Sequence, residues 1–84
     1  MNRIDTDLAL SILSTALEGC AAIRRGYIWA KSSDSPRRHA AILADVATNI
    51  APRCDAMTGT ILRGALRGER EAFVAAATSR GLAC

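Results

Sequence analysis

Three cysteines and a single histidine are the side chains of this 84-residue sequence best suited to covalent or metal chemistry. A nucleophilic thiol needs a base within hydrogen-bond reach and a third group to orient that base. Cys20 falls on an apolar helical stripe, where a thiol is ordinarily inert. His39 falls in the first turn of a predicted helix. The spacing of Cys20, Cys54 and Cys84 contains no CxxC pair, and His39 cannot complete a zinc set with them. The carboxylates are scattered, with no adjacent inward-facing pair for acid–base work. Gly59, Gly64 and Gly68 fit neither a phosphate-binding loop nor a dinucleotide fingerprint. No catalytic residue, metal site or cofactor is expected, and the chain is not expected to be an enzyme.

The remaining chemistry is that of binding. Eleven cations against eight carboxylates give a net charge of +3, and every cation except Lys31 is an arginine. Arginine's planar fork of donors suits carboxylates and phosphates, although a GC-rich genome would produce the same skew. The excess charge is local. Arg24, Arg25, Lys31, Arg37 and Arg38 are opposed only by Asp34, whereas the residues before and after this stretch nearly balance. Arg37 and Arg38 stand in the first turn of a predicted helix, against the macrodipole, where an anion would be welcome. Trp29 lies about 170° around its helix from the apolar stripe. An exposed tryptophan among arginines has the composition of an interaction hot spot and could also stack on a nucleic-acid base. Arg24, Arg25, Trp29, Lys31, Arg37, Arg38 and His39 are therefore the expected partner-binding residues.

These residues must be placed by helices. Asp5-Thr6-Asp7 suits a helix start. From there Ala9, Ile12, Leu13, Ala16, Leu17, Cys20, Ile23 and Tyr27 form one apolar stripe, predicting a helix to about Ala30. Ser35-Pro36 reads as an N-cap followed by proline at the first helical position. The second helix carries Leu43, Val46, Ala47, Ile50, Cys54, Met57, Ile61 and Ala65 on one face, a stripe read as keeping its phase across Pro52. That continuity favours a bend at Pro52 over a break. Gly64 and Gly68 then end the helix, or else form a small-residue ridge with Ala72 and Ala76 on which a second copy could pack. A short third helix over Glu69 to Arg80 would close on Gly81-Leu82, which resembles a Schellman stop.

The expected fold is all-α, one domain over residues 1–84: a helical hairpin with a long bent second helix and a short C-terminal third helix. Half the residues are apolar, but much of that half is alanine. So thin a core invites completion by a homodimer. Cys20 and Cys54 would lie about two turns apart, too far for a disulfide, and are expected to be free and buried. No secretory signal or membrane-length apolar run is read, so a reducing cytoplasm and no membrane partner are expected.

Two functions follow. The first is a small non-catalytic protein-binding module that blocks a partner's acidic surface. In size and character, though in no motif, such a chain resembles inhibitors that phages and mobile elements encode, anti-CRISPR proteins among them. The alternative is a nucleic-acid-binding or regulatory protein that uses the basic tip. Against it stand the modest charge and the lack of a helix–turn–helix signature.

Overall fold

A computed structural model describes residues 3–30 and 33–82, and among these residues the chain is all-helical with no strand. Helix α1 spans Thr6–Ala30. Its start is set by Asp5, whose Oδ1 accepts the Leu8 amide at 2.8 Å. Ala9, Leu13, Cys20 and Tyr27 are buried along it, with Ala16, Leu17 and Ile23 partly so, which is the stripe its spacing predicts.

Helix α2 spans Ser35–Asp45. Ser35 is its first helical residue rather than its cap, and it is buried. The cap position belongs to Asp34, whose side chain makes no capping bond. The chain continues from α2 through a widened π-type turn at Val46–Ile50 and a 3-10 turn at Ala51–Arg53. Pro52 explains both turns. It has no amide to donate, and its ring crowds the carbonyl four residues back. The ladder relaxes instead, with the Ala51 amide reaching back to the Val46 carbonyl.

The expected bend is in fact a break, and it falls two residues after the proline. Cys54 turns extended (ψ 167°), and Asp55 opens helix α3, Ala56–Ser79. Asp55 is a strong cap. Its Oδ1 accepts the Thr58 amide at 2.8 Å and its Oδ2 accepts the Thr58 hydroxyl at 2.9 Å. The restart moves the apolar phase by one residue. Thr58, Leu62 and Leu66 face inward, while Met57 and Ile61 are 75% and 52% exposed. Among the described residues the third helix is not a short one over Glu69 to Arg80, because α3 runs unbroken through Gly64 and Gly68. It ends as its last residues predict: Gly81 has φ +71°, and the Leu82 and Gly81 amides donate to the Ala77 and Thr78 carbonyls.

Helix α1 packs against both α2 and α3, which scarcely touch each other. The main core gathers Leu13, Cys20, Leu43, Val46, Leu62 and Leu66. A smaller cluster of Tyr27, Phe73 and Ala77, joined by Ile23 and Leu82, closes the other end. Near the first core the Ile4 amide donates to the Arg53 carbonyl at 2.9 Å, fastening the chain's start to the end of the second helical stretch. Gly59 sits where a Cβ would lie 3.2 Å from the Ala51 carbonyl, a tight approach that its missing side chain eases. The molecule measures 41 × 17 × 17 Å.

Contrary to the sequence expectation, α1 is long and apolar enough by length and composition to cross a membrane, with an 18-residue window of mean hydropathy 1.3. Core helices of soluble proteins and signal sequences have the same property.

Candidate interaction surface and the buried charge cluster

The last turn of α1 and the first turn of α2 carry the exposed residues of the expected surface. Trp29, in the last turn of α1, is 84% exposed. Arg25 is exposed one turn earlier on the same helix, and Arg37 and Arg38 are exposed in the first turn of α2. Asp34, also exposed, stands between the helices. Lys31 lies outside the described residues, as does Cys84.

Two residues assigned to this surface from sequence point the other way. His39 is only 2% exposed, because Ser35, His39, Leu43 and Val46 recur every three or four residues and form the inward face of the second helical stretch. Arg24 is half-buried and bonded to a residue that sequence reasoning placed at a helix start and not in a site. That residue is Glu69, which the continuity of α3 places mid-helix instead of at a helix start. Arg24 donates through Nε to Glu69 Oε1 at 3.0 Å and through Nη2 to Oε2 at 3.4 Å. His39 Nε2 lies 3.3 Å from Oε1. One carboxylate thus ties all three helices together. The contact with Arg24 is an ion pair, and the contact with His39 becomes one only with a protonated imidazole.

Aromatic rings cover this cluster. His39 lies 4.2 Å from the Phe73 ring, and Phe73 stacks on Tyr27 at 5.4 Å with a 5° tilt. Cys20 is fully buried, one turn before Arg24. Burial pushes its thiol pKa up, the Glu69 charge adds to the rise, and Arg24 opposes it. A thiol held protonated in this way is a poor nucleophile. Cys54 is half-buried, and its Sγ–H donates to the Ile50 carbonyl at 3.3 Å. Both described cysteines are free. Among the described residues no group of three His, Cys, Asp or Glu side chains could hold a metal ion.

A groove of 610 Å³ opens between α2 and α3, which scarcely touch each other. Buried His39, Leu43, Leu66 and Phe73 form its floor, and Ala40, Ala44 and Ala47 form one wall. Arg67, Arg70 and Val74 edge the other side. The one-residue phase shift after Cys54 hid this groove from the sequence pattern. It determines which residues of α3 face inward, and hence which lie at the edge.

Comparison of the chain with protein-family models, with curated proteins and with solved structures finds no match.

Proposed function

We propose that this protein is a small non-catalytic binding module that acts by occupying the surface of a partner protein. The observation that carries this reading is the solvent-exposed indole of Trp29, with Arg25 exposed one turn before it on α1 and Arg37 and Arg38 exposed in the first turn of α2. Exposing a tryptophan forgoes about 1.5–3 kcal/mol of burial that a thin core could use. An aromatic anchor flanked by guanidinium groups is the usual make-up of an interface hot spot, and the arginines favour an acidic partner surface. The resulting mode of action is blockade, as in the inhibitors encoded by phages and mobile elements. The raised thiol pKa of Cys20 and the engagement of His39 with Glu69 speak for structural rather than catalytic roles.

A second reading, nucleic-acid binding, draws on the same exposed arginines with Trp29 as a stacking platform. One set of measurements separates the two. Immobilised protein should lose a captured partner on Trp29→Ala while its helical circular dichroism stays unchanged. Partner capture that survives Trp29→Ala removes the assigned surface. Titration with duplex and single-stranded nucleic acid at low salt should show no binding. Micromolar affinity that falls steeply with salt and disappears in Arg37→Ala/Arg38→Ala would favour the second reading instead.

A further inference from the structure

We propose that the groove between α2 and α3 seats one amphipathic helix of a partner protein, about three turns long, whose carboxylates meet Arg67 and Arg70. The inference rests on the reading of the chain as a protein-binding module and adds to it a second contact, distinct from Trp29. The groove runs alongside Pro36 to Ala47, a rise of about 16 Å at 1.5 Å per residue, which matches three helical turns.

Its chemistry selects a helix. The floor of Leu43, Leu66 and Phe73 is apolar and suits side chains repeating at i, i+3 or i+4, and i+7. The wall of Ala40, Ala44 and Ala47 projects only methyl groups, which allows a second backbone to approach closely. An extended peptide gains nothing here, because the backbone groups of α2 and α3 are already spent within their helices.

Charge fixes the partner's sign. Two arginines and no carboxylate line the groove. Glu71 borders a shallow hollow that it shares with Arg67 and Arg70, outside the groove lining. The nearest internal carboxylate, Glu69, is committed to Arg24 and His39. A helix with glutamates along one flank is therefore matched, and one with lysines is opposed.

The test uses the full chain and two fluorescein-labelled peptides of about 14 residues. Both carry leucines at helical spacing, one with glutamates along the flank and the other with lysines in their place. The glutamate peptide should bind with a Kd on the order of 10–100 µM, and the lysine peptide at least about tenfold more weakly. Arg67→Glu/Arg70→Glu should invert that preference. Ala44→Phe, at an exposed position that fills the groove, should abolish binding of both peptides while helicity is retained. Trp29→Ala should leave peptide binding unchanged, so that failure at the tip and failure at the groove are told apart. Equal affinity for the two peptides, no binding of either at millimolar concentration, or indifference to Ala44→Phe overturns the proposal. So does sedimentation showing a homodimer that Ala44→Phe dissociates, since a second copy would then fill the groove.

Discussion

At the scale of single residues, Glu69 is a polar link shared by the three helices. Its carboxylate is largely buried and receives Arg24 from α1 and His39 from α2. A buried or half-buried pair becomes costly when one partner is removed, because the other keeps its desolvation penalty. Glu69→Ala should therefore cost about 2 kcal/mol in chemical denaturation, and Arg24→Ala less, since Arg24 is the more exposed partner. Equal and negligible costs would mean that the cluster is not formed in solution. Asp55 supports a prediction about pH. The Thr58 amide, then the Thr58 hydroxyl, and more weakly Thr6 and Arg3, hold its carboxyl below the ordinary range. Its pKa is lowered on folding, so the cap's contribution is full above the unfolded value, about 3.9. The contribution is lost as pH falls through the lower folded value. Thermal melts from about pH 5 down to about pH 2 should fall less steeply in Asp55→Asn than in the parent chain, because that variant keeps an acceptor but no charge. Parallel slopes would exclude Asp55 from the acid transition.

At the scale of elements, the decisive event is the restart of the helix at Asp55. If α3 is continuous and its outer face is free, Gly64 and Gly68 are mid-helix glycines with open space where a Cβ would go. Gly64→Ala and Gly68→Ala should then each stabilise the protein by about 0.5–1 kcal/mol. Gly59→Ala should forfeit that gain, because its Cβ would press on the Ala51 carbonyl. A loss of stability in Gly64→Ala that depends on protein concentration would instead reveal a dimer packed on this ridge. Much of the architecture was legible from local pattern. The stripe of α1, its start at Asp5 and the stop at Gly81-Leu82 each follow from a few neighbouring residues. The break was not legible, because proline is the louder signal and the apolar spacing across it looked unbroken. What decides the matter is the quieter pairing of Asp55 with Thr58, which offers the backbone a new start and turns Met57 and Ile61 outward. The same slip explains the incomplete view of the site. Trp29 and the exposed arginines are matters of local phase, whereas the partnership of Glu69 with Arg24 and His39 spans 45 and 30 residues and depends on α3 being correctly rotated.

At the scale of the whole molecule, the chain is long and thin. Its radius of gyration of 13.5 Å exceeds the value of about 12 Å expected for a compact domain of this length. Among the described residues, the largest side chains buried completely are Leu62 and Cys20. A domain of this size has a net stability of about 4–13 kcal/mol, so one central leucine carries a substantial share of it. Leu62→Ala removes atoms from the point where α3 meets the core residues of α1 and α2, and should cost about 3 kcal/mol. Its neighbour makes the internal control. Ile61→Ala trims a half-exposed side chain of similar size and should cost less than about 1 kcal/mol. Adjacent helical residues point about 100° apart, so the ratio of the two losses measures the rotation of α3 directly. Were Ile61→Ala the costlier change, α3 would have to turn by that angle, carrying Arg67 and Arg70 off the groove and Glu69 away from Arg24. The charge cluster, the groove and the exposed face of α3 therefore stand or fall on one denaturation experiment with two variants.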